Sequence, residues 1–326
     1  MADLRADGVH TSVIGSYPLE DSPANRARCI EDLLRVGIDF PAYPQLFDMG
    51  KQFLDDLVKQ DIGIASEGHW YTLRANELRE DGSPPGLEPF FWSVRYLEER
   101  GVRETINLKA AITGPFTLAS YIQTRSGMFP SNTALSSPEL VKQLSSILSK
   151  SCEKASSEAA VISIDEPILG TIVGARILFG HSDEDIVQAY SSLKKACKQR
   201  LVGTHICGRL SPRLAEILLK TDLDFLSHEF HDSPQNKEIY SPEKLEEAGK
   251  VLSVGCLSSR NPRAESSEEI LRTMEEFRRY GSNLIFTPDC GFRPLRVLGS
   301  EEEGYQISIR KLRNMVEAAR RFNVSE

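Results

Sequence analysis

A repeated alternation of strand and helix patterns constrains the fold of this 326-residue chain more than any other feature. Short apolar segments rich in β-branched residues predict strands, and the amphipathic stretches between them, several opened by Ser or Asp, predict helices. Eight such strand–helix units predict an α/β fold of one (β/α)8 TIM barrel over residues 1–326. The predicted strands are Thr11–Ser16, Ile62–Gly68, Leu108–Pro115, Ala160–Pro167, Leu201–Cys207, Phe225–Phe230, Val251–Leu257 and Leu284–Gly291.

One further segment, Val36–Tyr43, has a strand-like pattern, but prolines lie close by, so we interpret it as an insertion after the first helix. The clearest helical patterns cover Pro138–Ser157, Ser182–Gln199, Ser211–Leu219 and Ser267–Tyr280.

Charge and composition indicate a protein that acts on small ligands. The formal net charge is −8, and Lys and Arg are scattered, which argues against a nucleic-acid or anionic-membrane partner. Residues 1–10 are polar and no later run is long enough to cross a membrane, so a cytoplasmic location is expected. The 6 cysteines are unevenly spaced, which predicts that at least some are free thiols.

The predicted strand ends carry side chains that turn formation does not explain. Active sites of such barrels lie at the carboxyl ends of the strands. Turns account for Gly114, Pro115 and Pro167, but not for a His, two Cys and a Glu at the same rim. These four are His205, Cys207, Glu229 and Cys290.

Strand periodicity decides which of these side chains face inward. His205 and Cys207 share one face of their strand and offer a nitrogen and a sulfur ligand for zinc. The same alternation predicts that the side chains of Glu229 and Asp165 point into the barrel. It turns His228 and Cys256 toward the helices.

The motifs together resemble those of the cobalamin-independent methionine synthase family, in its catalytic half and its short stand-alone members. Ile14–Pro18, Thr113–Pro115, Ile164–Pro167 and Pro288–Gly291 are similar to the family's first, third, fourth and last strand motifs. The resemblance implies zinc bound by His205, Cys207, Glu229 and Cys290, and a methyl group transferred to the thiol of homocysteine. It further implies that Ser16 contacts the substrate carboxylate and Asp165 its ammonium group.

Zinc coordination deprotonates a thiol whose pKa is near 8.5 and so prepares a nucleophile. With a neutral imidazole, two thiolates and a carboxylate on zinc, we expect the weaker oxygen ligand, Glu229, to move when the substrate sulfur binds.

Departures from the family pattern concern the substrate pocket and the methyl donor. At the predicted second strand, Glu67 and His69 are predicted to bind substrate, with Glu67 taking the ammonium contact. The family's acid after strand seven aligns with Arg260, which cannot protonate a leaving folate but could bind a phosphate or carboxylate of the donor. The family's folate-binding N-terminal half has no counterpart in this sequence. A methylcobamide delivered by a corrinoid protein is therefore the predicted donor.

Several alternatives stay open. The acceptor could be another small thiol such as coenzyme M, or the donor could be methyltetrahydrofolate. A barrel hydrolase is disfavoured because its usual His-x-His on the first strand is Ser12-x-Ile14 here. A purely structural zinc is disfavoured because the ligands come from three strands at one rim. Residues Trp70–Trp92 are interpreted as a lid or docking loop, or as a packed surface loop.

Overall fold

The computed structural model of the protein describes residues 8–68, 70–124, 127–198, 200–297 and 299–324. Its strands are β1 Val9–Thr11, β2 Ile64–Glu67, β3 Trp70–Leu73, β4 Lys109–Thr113, β5 Ile122–Gln123, β6 Val161–Asp165, β7 Leu201–Ile206, β8 Phe225–Glu229, β9 Val251–Gly255 and β10 Leu284–Thr287. Its α-helices are α1 Pro23–Val36, α2 Met49–Lys59, α3 Glu88–Glu99, α4 Pro115–Tyr121, α5 Pro138–Ala155, α6 Pro167–Ile172, α7 Asp183–Ala196, α8 Pro212–Leu219, α9 Pro242–Glu247, α10 Ser267–Glu275 and α11 Glu301–Val324. Short 3-10 turns lie at Arg103–Thr105, Ala134–Ser136, Pro234–Glu238, Arg278–Tyr280 and Arg293–Val297.

Seven strands form one parallel sheet in the order β1-β10-β9-β8-β7-β6-β4. Parallel bridges from Phe40 to Ser12, from Gln45 to Ser16 and from Ala42 to Lys109 connect the two ends of this sheet. Residues 40–45 therefore take the remaining strand position, between β1 and β4. The predicted (β/α)8 barrel is confirmed.

The assignment of the second barrel strand from the sequence was wrong. Ile62–Gly68 contributes β2, which pairs antiparallel with β3, and β3 pairs with β5 in a separate three-stranded sheet. The segment interpreted as an insertion supplies the barrel strand instead. Its prolines are tolerated because the N–H groups of Phe40, Tyr43 and Gln45 make the inter-strand bonds, while Pro41 only accepts one, from Lys109.

Helix starts follow the predicted cap chemistry. Ser182 forms a capping box with Asp185 at α7, and Ser211 accepts from the N–H of Leu214 at α8. Proline stands in the first turn of α5 and α8, where its missing N–H costs nothing.

None of the helices in the described ranges combines the length and apolar character that a membrane span requires.

The barrel interior changes character along the strands. An apolar cluster of Phe40, Val161, Leu201, Phe225 and Ile285 fills the amino end, separate from the larger core between sheet and helices. Two residues further on, the inward positions are small or hydroxylated, as at Ser163, Gly203 and Ser227. The next inward layer holds Asp165, His205 and Glu229, so the strand periodicity delivers these groups to one rim.

Candidate active site

A nitrogen and two sulfur ligands meet at the carboxyl rim of the barrel. His205 is the last but one residue of β7, Cys207 directly follows this strand, and Cys290 comes after β10. One ligand atom from each lies within 4.8 Å of the ligand atoms of the other two. His205 is buried, and both cysteines are partly exposed. The structure thus brings together three of the four residues predicted to bind zinc.

The environment of His205 fits a metal ligand. Its Nδ1 lies 3.2 Å from the hydroxyl oxygen of Ser227, whereas its buried Nε2 has no hydrogen-bond partner. A buried polar atom without a partner is costly, and metal coordination satisfies it. One imidazole and two thiols are a donor set that zinc prefers.

The two thiols are in contact and influence each other. A hydrogen bond from Cys290, with further help from His205, lowers the pKa of Cys207. The same hydrogen bond raises the pKa of Cys290, and burial adds to the effect. The contact between the two thiols therefore favours a thiolate in this pair, which is the form that binds a metal.

Glu229 is not a member of this three-residue group. Its side chain is 1% exposed, and its Oε1 accepts a hydrogen bond of 2.7 Å from the Arg260 guanidinium. Its Oε2 accepts a bond of 3.2 Å from Ser233. The fourth predicted zinc ligand is thus engaged by a cation from the loop after β9.

The loop that carries Arg260 is held by buried polar contacts. The Ser258 hydroxyl donates to Asp232 at 2.6 Å and accepts from the backbone N–H groups of Arg260 and Asn261. The Ser258 N–H donates to Glu265, whose carboxylate forms a fully buried ion pair with Lys311. The Arg260 backbone is therefore well fixed although its side chain is 56% exposed.

Asp165 faces the barrel interior, as its strand phase predicts. It accepts a hydrogen bond of 2.5 Å from Ser163, and its neighbour in the sheet register is His205. Burial raises the pKa of Asp165, while His205 and Lys109 oppose this shift. Glu166 points elsewhere and accepts the N–H groups of Phe116 and Thr117 at the start of α4.

Ser16 lies at the same rim, beside the cysteine from β10. A side chain at Gly291 would overlap the Ser16 hydroxyl, and the Phe292 N–H donates to the Ser16 carbonyl at 2.8 Å. Ser16, Asp165 and the three-residue cluster thus belong to one rim.

Gln45 is a rim residue that sequence reasoning missed. It is buried next to Ser16 in the sheet register, and its amide donates to the Tyr43 hydroxyl at 3.1 Å. Chain order could have identified it, because the strand that follows α1 directly is expected to be the second strand of a βα barrel, and Gln45 lies in that segment.

Glu67 is exposed and lies in the small sheet that is not hydrogen-bonded to the barrel strands. The strand position that motivated its predicted ammonium contact is therefore wrong, and the contact itself stays a prediction. His69 lies outside the described residues. Of the segment Trp70–Trp92, Trp70 is exposed. Leu78 and Pro85 contact α5: the Leu78 N–H donates to the Gln143 side chain, and the Pro85 carbonyl accepts from the Ser151 hydroxyl.

Two residues assigned to the helix side lie there. The Cys256 thiol is buried in the main core and contacts the Thr287 carbonyl oxygen at 3.4 Å. His228 is buried between Ile206 and Tyr240, and burial lowers its pKa to about 3.

A second group of possible metal ligands, His231, Asp232 and Asp289, instead makes hydrogen bonds within the loop after β8. Asp289, next to Cys290, accepts N–H groups from Phe230, His231 and Asp232. The His231 Nδ1 and the Asp232 carboxylate lie 3.0 Å apart. These carboxylates anchor the loop after β8 and thereby position Glu229 and Ser233.

Comparison with known proteins adds to this geometry. Residues 90–321 match the family model described as "Cobalamin-independent synthase, Catalytic domain". The chain belongs to this family. The prediction of a methyltransferase of the methionine synthase type is thereby confirmed.

Relatives match along most of the chain. It is 25% identical to a methionine synthase of Methanocaldococcus jannaschii, over 96% of this chain and 99% of that protein. It is 28% identical to a methionine synthase of Pyrococcus abyssi, over 88% of this chain and 78% of that one. A B12-independent methionine synthase from Shewanella sp. W3-18-1, solved in complex with selenomethionine, superposes with a TM-score of 0.67 at 16% identity over 98% of both chains. This last match supports the barrel fold.

Proposed function

We propose that this protein transfers a methyl group to the thiol of L-homocysteine and so forms methionine, with the thiol activated by zinc at His205, Cys207 and Cys290. The observation that carries the proposal is the meeting of one unpartnered imidazole nitrogen and two thiols within 4.8 Å at the barrel rim. When bound, zinc supplies the Lewis acidity that converts the substrate thiol into a thiolate at neutral pH.

The chain's own residues orient the amino-acid substrate. Asp165 offers a buried carboxylate for the ammonium group, held in place by Ser163. Ser16 offers a hydroxyl and backbone for the carboxylate, next to Cys290 and Gly291. Binding both ends of the amino acid favours homocysteine over coenzyme M, which has no ammonium group.

The methyl donor is the finer part of the proposal. The sequence predicts a methylcobamide in part because Arg260 takes the place of the acid that would protonate a leaving folate. Arg260 is paired with Glu229, so it is less available as a donor-binding group. The description of the family as cobalamin-independent also does not favour a corrinoid protein as partner. In its favour, a methylcobamide leaves without being protonated, which suits an arginine at this position. Methylcobamide and methyltetrahydrofolate are therefore both tested as donors.

A cavity beside the rim offers the donor a place to bind. It measures about 360 Å³, and its lining combines aromatic and aliphatic side chains with three hydroxyl groups: Trp70, Tyr121, Phe129, Pro167, Ile168, Thr117, Ser120 and Thr171. Aromatic and aliphatic walls suit a flat ring. A whole corrin would have to lie across its mouth rather than enter it.

The test is methionine formation by zinc-loaded protein given homocysteine and, separately, methyltetrahydrofolate, methylcobalamin or a methylated corrinoid protein. Zinc content is measured in parallel for wild type, Cys290→Ser and the matched control Cys256→Ala. We expect about one zinc per chain in wild type and in the control, and loss of zinc and activity in Cys290→Ser.

Three results would contradict parts of the proposal. Full zinc retention in Cys290→Ser removes this cysteine from the site. Failure of every donor, with the protein folded and zinc bound, excludes methionine synthesis. Equal turnover of coenzyme M and homocysteine would contradict the role given to Asp165.

A further inference from the structure

We propose that Glu166 is a positioning residue for the methyl donor: its buried carboxylate fixes the start of α4 beside the start of α6 and so sets the width of the cavity beside the rim. This inference rests on the proposed function, in which that cavity takes the donor.

The Glu166 side chain is committed to α4. Its Oε1 accepts the Phe116 N–H at 2.9 Å, and its Oε2 accepts the Thr117 N–H at 2.8 Å and the Thr117 hydroxyl at 2.6 Å. The residue is 1% exposed. A buried carboxylate is costly unless hydrogen bonds hold it, so these three bonds keep the carboxylate and the start of α4 together.

The Glu166 backbone is fixed by the sheet. Its N–H donates to the His205 carbonyl at 3.0 Å, and the carbonyl of Asp165, the residue before it, accepts the Gly114 N–H at 2.9 Å. Helix α6 begins at the next residue, Pro167. One residue therefore joins the sheet, the start of α6 and the start of α4.

The two helices that Glu166 joins form most of the cavity wall. Six of the eight lining residues belong to α4 or α6: Thr117, Ser120, Tyr121, Pro167, Ile168 and Thr171. The Thr117 hydroxyl donates to Glu166, and the Ser120 hydroxyl donates to the Thr117 carbonyl at 2.7 Å. Glu166 thus sets both the position of α4 and the orientation of hydroxyls in the wall.

Gly114 leaves the space that the carboxylate needs. A side chain at Gly114 would overlap the Glu166 carboxylate. The Gly114 backbone has φ −76° and ψ 165°, a conformation that alanine adopts without strain. Gly114→Ala therefore displaces the carboxylate while Glu166 itself stays unchanged.

The experiment compares wild type with Glu166→Gln, Gly114→Ala and the control Asp185→Asn. The Asp185 carboxylate accepts the N–H and the hydroxyl of Ser182 at the start of α7, and no residue of α7 lines the cavity. The control therefore also removes a carboxylate that caps a helix, but away from the donor.

Donor binding is measured with two probes, methyltetrahydrofolate and methylcobalamin, from the quenching of Trp70 fluorescence. Trp70 lines the cavity, whereas Trp92, the other tryptophan, stacks on Tyr96 and is changed to Phe in all proteins. Zinc content, homocysteine affinity, urea unfolding and the kcat and KM for the donor are measured on the same proteins.

In Glu166→Gln and in Gly114→Ala, we expect the probe that wild type binds to bind about tenfold more weakly, with a similar rise in the donor's KM. The amide NH2 of Gln would face an N–H group of α4, so one of the three bonds becomes repulsive and α4 shifts. Zinc content, homocysteine affinity and kcat at saturating donor should stay near wild type. Asp185→Asn should unfold at a lower urea concentration and bind the probe as wild type does.

Wild-type probe affinity in both folded variants would overturn the inference, and if one variant does not fold, the other decides. An equal fall in homocysteine affinity would also overturn it, because Glu166 would then act on the substrate pocket through Asp165. So would an equal loss of probe affinity in Asp185→Asn, which would reduce the effect to general stability. A wild-type protein that binds neither probe contradicts the proposed place of the donor, and the inference falls with it. That failure is distinguishable because it is measured on wild type alone.

Discussion

At the scale of single residues, the rim groups are oriented by hydroxyls one layer below them. Ser227 contacts the His205 Nδ1, and Ser163 donates to Asp165. Such outer contacts fix the ring or carboxylate orientation before a ligand arrives, and in metal sites they contribute to affinity. The middle layer of the barrel therefore belongs functionally to the site above it.

Replacement of Ser227 by Ala should weaken zinc binding by about tenfold without unfolding the protein, because the imidazole of His205 loses the contact that orients it. Chelator competition measures this. Ser253→Ala is the matched control, since Ser253 is buried and lies opposite Ser227 in the sheet register. Equal zinc loss in both variants would mean that general packing, not the contact with His205, is responsible.

At the scale of the strand, β4 differs from its neighbours because it begins with a buried lysine. Lys109 is 3% exposed, and its Nζ donates to the Val13 carbonyl at 2.8 Å. Burial lowers the pKa of Lys109 to about 8. In the unfolded chain a lysine titrates near 10.4. Between these values the unfolded chain holds a proton that the folded chain has released, so this group's contribution to stability rises with pH.

The free energy of unfolding should therefore depend less on pH in Lys109→Met than in wild type. Between about pH 7 and about pH 9.5 we expect wild type to gain about 2 kcal/mol relative to the variant. Urea unfolding of the metal-free proteins at both pH values measures this. The exposed Lys142, changed to Met, should show no such difference from wild type. If the free energy of unfolding changed with pH in Lys109→Met as much as in wild type, Lys109 would be charged in the folded state throughout this range.

Strand periodicity was sufficient to predict which way most rim side chains point. His205 and Asp165 face inward and His228 faces the helices, because alternation along a strand is a local property. The Glu229–Arg260 pair was not predictable in this way. Its partners are 31 residues apart, Glu229 at the end of β8 and Arg260 in the loop after β9, and their meeting depends on the loop conformation set by Ser258.

At the scale of the whole molecule, barrel closure depends on a segment whose local signals opposed a strand. Two prolines within residues 40–45 obscured the pattern, while Ile62–Gly68 had a clear strand pattern and formed one outside the barrel. Chain order was the stronger constraint, because a right-handed βα unit returns directly to the neighbouring strand. The error carried over to the site, where it favoured Glu67 and missed Gln45.

Closure through residues 40–45 predicts unequal effects for two phenylalanines of this region. Phe40 is 1% exposed and belongs to the apolar cluster at the amino end of the barrel, whereas Phe47 is 43% exposed. Phe40→Ala should lower the free energy of unfolding by about 3–5 kcal/mol, since it leaves a cavity where the sheet closes. Phe47→Ala should change it by less than about 0.5 kcal/mol. Urea unfolding of metal-free protein compares the two without the contribution of zinc. Equal and small effects would mean that residues 40–45 lie against the barrel without closing it.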